Sequence, residues 1–104
     1  GVRFVPIRFT PDYSVHNDES CGGVNIIITD RHKLRAVPLG IDIARVLHDL
    51  YPKSFPLAKV DRLLCHPPTL EALGQSKTLT QIKALWKTDL AKFTSRRAKY
   101  LLYE

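Results

Sequence analysis

A chain of 104 residues is long enough for one modest hydrophobic core and too short for two. At 44% hydrophobic and 25% charged it has the composition of an ordinary soluble globular domain. No apolar run approaches the ~20 residues of a membrane helix, so no membrane span is expected, and no basic-then-apolar leader opens the chain, so any secretion signal is expected to have been removed or to lie outside it. The net charge of +6 is gathered in one place. Seven basic residues (Lys77, Lys83, Lys87, Lys92, Arg96, Arg97, Lys99) face a single acid, Asp89, and the rest of the chain is balanced. Such a segment reads as a solvated helix face before it reads as a nucleic-acid stripe.

In chain order, `VRFVPIRF` sets Val5, Ile7 and Phe9 against Phe4, Pro6 and Arg8, the period of a strand. Pro6 cannot donate to a ladder, which predicts an edge strand or a free side at that position. `GVNIIITD` is the second strand, rich in β-branched residues, with both faces expected to be largely buried. After a turn at Asp30–Lys33 and a short extended `LRAVP`, the period changes. `LGIDIARVLHDLYP` places Leu39, Ile43, Val46, Leu47 and Leu50 on one helical stripe, with Asp42 in the first turn and Pro52 as the stop. `PPTLEAL` reads as a short helix with Pro at its start and Gly74 just past its end. In the last and longest helix Thr78 is the expected N-cap. Leu79, Ile82, Leu85, Trp86, Leu90, Phe93 and Tyr100 fall on one side of its wheel, with Asp89, Arg96 and Arg97 placed either for an ion pair or for snorkelling outward. With no crossover helix between the strands, the expected fold is α+β: a small antiparallel sheet of two to three strands packed by about three helices, as a single domain over 1–104.

The densest polar stretch is `FTPDYSVHNDESCGGVNI`, residues 9–26, between the two strands. A metal site is not expected. His16 with Cys21, and the adjacent Cys65 and His66, lack the paired short spacing of zinc ligands. Cys21 runs into a strand through Gly22 and Gly23, where a packed thiol is expected rather than a nucleophile. The two cysteines permit one disulfide, but unpaired thiols are the expected state. Three Glu, one of them terminal, and scattered Asp supply no convincing pair of facing carboxylates, and the Gly pair precedes a strand, so it is no phosphate loop. No cofactor and no catalytic residue is therefore assigned within the chain.

`PIRFTPDYSVHNDESCGGVNIIITD`, then `LGIDIARVLHDLYP`, then `IKALWKTDLAKFTSRRAKYLLY` resemble, in order and spacing, the C-terminal domain of the bacterial exo-acting β-N-acetylmuramidase family, over Gly1 to Tyr103. Phe9, Thr10, Pro11, Ser14, His16, Cys21, Gly22, Gly23 and Val24 match the loop-and-strand pattern. Trp86, Leu90, Phe93, Arg97, Tyr100, Leu101 and Tyr103 match the ending. Val15 departs from it, standing where a basic residue is common, and Cys65–His66 replaces small residues. The resemblance implies a two-domain protein whose larger, Rossmann-like N-terminal domain supplies the catalytic carboxylate and whose smaller C-terminal domain closes one side of the cleft. It implies removal of N-acetylmuramic acid (MurNAc) from the non-reducing end of peptidoglycan fragments, in the cell envelope, periplasm or outside the cell. On this reading Ser14 and His16 offer hydrogen bonds to sugar hydroxyls, Tyr13 offers a stacking face, and the isolated domain is expected to be inactive. The alternative is a stand-alone basic module binding an anionic polymer, either nucleic acid or wall polymer. Nucleic acid is disfavoured because no aromatic interleaves the basic residues on the exposed side.

Overall fold

The structure is a computed structural model describing residues 1–103. The described residues form an α+β fold with two strands and four α-helices, of which the last is the longest. It divides into two compact units, Gly1–Arg35 and the helical part from Ala36 onward.

In the first unit, β1 (Val2–Phe9) and β2 (Cys21–Ile28) pair antiparallel, in register from Val2 opposite Ile28 to Phe9 opposite Cys21. The Thr29 N–H donates to the Gly1 carbonyl at 3.0 Å, and these two residues lie opposite one another when the register is carried one step outward. Hydrogen-bonded pairs in an antiparallel ladder recur every second residue. The odd-numbered residues of both strands therefore bond across the pair, and the even-numbered ones turn their backbone groups outward. Pro6 is even-numbered, so its missing N–H falls on the free edge of β1 and removes no ladder bond, as its place in the sequence predicts. The expectation for β2 fails. Val24, Ile26, Ile27 and Ile28 are all exposed, because a two-stranded ribbon has no second layer of its own to cover them.

In the helical unit, α1 (Ala36–Leu50) starts inside the stretch expected to be extended. Pro38 is its third residue, where no intrahelical partner exists for the N–H, so proline costs the helix nothing. Asp42 consequently lies in the second turn rather than the first, and its carboxylate accepts from Arg45 Nε and Nη2 at 3.0 and 2.9 Å. The buried arc is also rotated from the expected stripe. Ile41 and Ala44 are buried, whereas Val46 and Leu50 are exposed. Ala44 is buried although small, which a ranking by side-chain bulk overlooks.

A 3₁₀ turn (Leu57–Val60) leads into the short α2 (Asp61–Leu64), then α3 (Pro67–Gly74) and α4 (Leu79–Ala98). Ile41, Ala72, Leu73 and Ile82 form the core, with Leu57, Leu64, Leu79 and Trp86 packed against it. Gly74 is the last residue of α3, not the residue beyond it. The left-handed position falls on Ser76 (φ 51°). Lys77 N–H bonds the Ala72 carbonyl and Ser76 N–H bonds that of Leu73, a Schellman closure with serine in the glycine position. Ser76 Oγ also donates to Asp49 Oδ1 of α1 at 2.8 Å, and Asp49 pairs with Arg45. This bond ties the turn between α3 and α4 to α1 and helps offset the cost of a left-handed non-glycine residue.

Thr78 caps α4 as expected. Its hydroxyl accepts from Gln81 N–H while the Gln81 side chain accepts from Thr78 N–H, a complete capping box. The apolar stripe of α4 holds only in its first half. Ile82 is buried and Leu79 and Trp86 are half-buried, but Leu85, Leu90, Phe93 and, past the helix, Tyr100 are exposed. No ion pair joins Asp89 to the arginines among the described residues: Asp89 pairs with Lys92 at 3.5 Å, and the Arg96 guanidinium sits 5.9 Å from the centre of the Phe93 ring. Among the described residues no helix is long and apolar enough to cross a membrane.

Candidate functional site

The connection between β1 and β2, Thr10–Ser20, carries Tyr13, Ser14 and His16 at the loop end of the ribbon. Its shape comes from three left-handed residues in alternation, Ser14 (φ 69°), His16 (φ 61°) and Asp18 (φ 60°). For residues with a Cβ each such position costs about 1 kcal/mol. Two backbone bonds hold the shape: Asp18 N–H to the Pro11 carbonyl at 2.9 Å, and Glu19 N–H to the His16 carbonyl at 3.1 Å. Aspartate and histidine tolerate this conformation better than most residues, serine less well. Strain of this kind, held by local bonds, is a feature of ligand-contacting segments.

His16 is the best-oriented polar group of the loop. Its Nδ1 lies 2.9 Å from Glu19 Oε2. A carboxylate can only accept there, so Nδ1 carries the proton, and in the neutral ring Nε2 is left as an acceptor. Tyr13 is 78% exposed, and its ring is open to stacking. Ser14 is exposed on the same segment. The loop thus brings Tyr13, Ser14 and His16 into one short stretch. The role of Glu19 as the group that orients His16 is what the sequence reading missed. The three-residue spacing across a turn was its only signal.

Beneath the loop, the Phe9 ring lies over Gly23: a Cβ at Gly23 would stand 2.8 Å from Phe9 Cε1. Here glycine answers a requirement for close approach, not for a positive φ. Both cysteines are free thiols, Cys21 half-buried and Cys65 exposed. Among the described residues no three His, Cys, Asp or Glu side chains come together to hold a metal ion.

A second polar cluster belongs to the helical core. Thr69 is 1% exposed, and its hydroxyl accepts from Trp86 Nε1 at 2.7 Å and lies 2.8 Å from His66 Nδ1. The Thr69 N–H also points at His66 Nδ1, at 3.3 Å, making His66 the N-cap of α3. His66 Nδ1 is therefore an acceptor, and its proton sits on Nε2. Cys65 just before it is left-handed (φ 48°) and faces solvent. The two neighbours diverge, and His66 has a structural task.

The basic residues of α4 do not line up. On a helix of 3.6 residues per turn, Lys83 and Lys87 fall on one flank, and Lys92, Arg96 and Lys99 (just past the helix end) on the other. Arg97 continues the line of Leu79, Trp86 and Phe93. The Phe93–Arg96 contact does, however, set an exposed aromatic beside a basic residue, against the sequence expectation.

Residues 1–103 match the family described as exo-β-N-acetylmuramidase NamZ, C-terminal. The chain belongs to this family. It is also 32% identical, over 106 aligned residues, to the peptidoglycan β-N-acetylmuramidase NamZ of Bacillus subtilis strain 168. That alignment takes in 99% of this chain and 26% of the relative, so the chain spans about a quarter of the protein it matches. No solved structure matches it. The two stretches whose sequence resembles the NamZ C-terminal family both lie within the matched residues. The loop-and-strand block, Phe9 to Val24, contains the strained loop and the Phe9–Gly23 approach. The ending contains Trp86, which is bonded into the core, and Phe93, Arg97 and Tyr100, which are exposed.

Proposed function

We propose that residues 1–104 act as one C-terminal domain of an exo-acting β-N-acetylmuramidase, and that the Thr10–Ser20 loop forms one side of its sugar site. The reaction is removal of MurNAc from the non-reducing end of peptidoglycan fragments, in the cell envelope, periplasm or outside the cell. A larger, Rossmann-like N-terminal domain of the same protein carries the catalytic carboxylate. The observation that carries this reading is the family match over 1–103 combined with the conformation of the loop. In this reading the contribution of the domain is to hold and orient the sugar.

In this arrangement His16 Nε2 accepts a hydrogen bond from a sugar hydroxyl while Glu19 fixes the ring through Nδ1. The Ser14 hydroxyl can donate or accept beside it, and the Tyr13 ring covers an apolar face of the sugar. Loss of one hydrogen bond from a neutral group to a bound sugar costs about 0.5–1.5 kcal/mol, a few-fold to roughly tenfold in kcat/KM.

The test is His16→Ala in the full-length protein, assayed on a chromogenic MurNAc glycoside. A rise in KM with kcat little changed is expected. Unchanged kcat/KM removes His16 from the site. Residues 1–104 alone should release no MurNAc, and robust turnover by them would overturn the two-domain account. Glu19→Gln serves as the companion variant, because an amide can donate as well as accept and no longer selects one ring tautomer. It should reproduce part of the His16→Ala effect.

A further inference from the structure

The two free edges of the β-ribbon are not alike. On β1 the outward backbone groups belong to Val2, Phe4, Pro6 and Arg8, so that edge lacks one donor and ends in a charged side chain. Proline and charge are the means by which exposed edges are kept from pairing. On β2 the outward groups belong to Gly22, Val24, Ile26 and Ile28, with no proline and no charge. The same even-numbered residues share one face of the ribbon. Val2, Phe4, Pro6, Val24, Ile26 and Ile28 make that face wholly apolar over six positions, and Phe4, Val24, Ile26 and Ile28 are exposed. A two-stranded ribbon with an uncovered apolar face is marginal by itself and gains from a third strand.

We propose that the β2 edge pairs with an extended strand supplied by the remainder of the full-length polypeptide, completing a sheet of at least three strands. The inference rests on the reading above, that this domain works within a longer protein. The relative from Bacillus subtilis has nearly three quarters of its length outside the matched region, which is ample to supply the strand. The chemistry of the occupant follows from the edge it meets. It has no proline over about four residues, it donates and accepts at alternate positions to Val24 and Ile26, and its alternate side chains are apolar so that they extend the Phe4–Ile26 face. Pairing there anchors β2 directly behind the Thr10–Ser20 loop, so the loop is held by the same chain that supplies the rest of the site.

The experiment is residue-resolved amide hydrogen exchange on the full-length protein without substrate. The outward amides of Val24, Ile26 and Ile28 are expected to exchange as slowly as the inward amides of Gly23, Asn25 and Ile27, at least about a hundredfold below the unstructured rate. Fast exchange at Val24 and Ile26 beside protected Gly23 and Asn25 overturns the proposal. Val24→Pro removes one outward donor opposite Pro6, where the β1–β2 ladder has no bond to lose. It should release Ile26 and Ile28 to fast exchange, while Arg8→Pro, the same deletion on the guarded edge, should not. Protection of Ile26 that rises with protein concentration assigns the edge to a second copy of the chain and likewise overturns the proposal. Exchange is read without turnover, so a full-length protein that releases no MurNAc defeats the functional reading and leaves this result standing.

Discussion

In the helical unit Leu73 and Ile82 are wholly buried, whereas in the hairpin unit Val24 and Ile28 remain 58% and 51% exposed. These are similar aliphatic side chains under opposite circumstances. The helices bury apolar area against one another, and each buried side chain of this size contributes about 1.5–3 kcal/mol. The hairpin is held by its backbone ladder, by local bonds in its loop, and by Phe9 resting on Gly23. Stability thus resides in the helical unit, and the strained polar loop sits on the less stable one. Segments that contact ligands are commonly drawn from the less stable part of a fold.

The sharpest way to break this contrast is to delete volume in both units. Leu73→Ala should lose about 2–5 kcal/mol in urea unfolding followed by fluorescence of Trp86, the only tryptophan. Val24→Ala should lose under about 1 kcal/mol, because half of its side chain already meets water. Equal losses would mean that Val24 is buried under the conditions of the experiment.

The buried polar bridge of the helical unit ranks next. Thr69→Val keeps the shape but leaves Trp86 Nε1 and His66 Nδ1 without their shared partner. The expected loss is about 1–3 kcal/mol, with a shift of the Trp86 emission, and Thr69→Ser should recover most of it. A neutral Thr69→Val would show that water replaces the hydroxyl. The hairpin offers no comparable target, since its polar bonds are open to solvent and cost little to exchange for water.

How far this contrast can be read from sequence depends on which residue types perform each local task. Thr78 announces its helix start because threonine is among the common N-cap residues. Pro6 announces a free edge because proline has only one way to sit in a strand. The α1 start is missed because Pro38 resembles a breaker and is in fact tolerated in the first turn. His66 is missed as a cap because histidine rarely serves as one. The three left-handed residues of the loop are invisible for a related reason. Ser14, His16 and Asp18 carry none of the glycine signature that marks positive φ. Exposure of β2 and of the second half of α4 is the larger failure. A pattern of apolar residues shows that a face is meant to be covered, and a covering element outside the chain leaves the same pattern as one within it.

The loop separates strain from contact. Ser14→Gly should relieve about 1 kcal/mol of left-handed strain and return part of it as unfolded-chain entropy, leaving hairpin stability within about 0.5 kcal/mol. In the full-length protein the same change should weaken sugar binding, because it removes the hydroxyl and frees the backbone beside His16. Loss of hairpin stability comparable to Thr69→Val would show that Ser14 is structural rather than a sugar contact.

The smallest effect sits at the far end of the hairpin. Asp30 Oδ1 accepts from the backbone N–H groups of His32 and Lys33, and Oδ2 pairs with Lys33 Nζ at 3.3 Å. The backbone bond from Lys33 chiefly, with the Lys33 side chain and His32 N–H adding to it against some desolvation, holds the Asp30 carboxyl below its ordinary value. A carboxyl whose folded value is lowered favours the folded turn while it is ionised. That contribution is complete above the unfolded value, about 3.9, and disappears as pH falls through the lower folded value. The amides of His32 and Lys33 should therefore keep constant protection down to roughly that pH and lose it only in stronger acid, after correction for the intrinsic exchange rate. Asp30→Asn should flatten the acid dependence while retaining an oxygen acceptor for the turn. Protection that already falls above the ordinary carboxylate value would mean that the folded turn favours the protonated acid, opposite to what its three donors require.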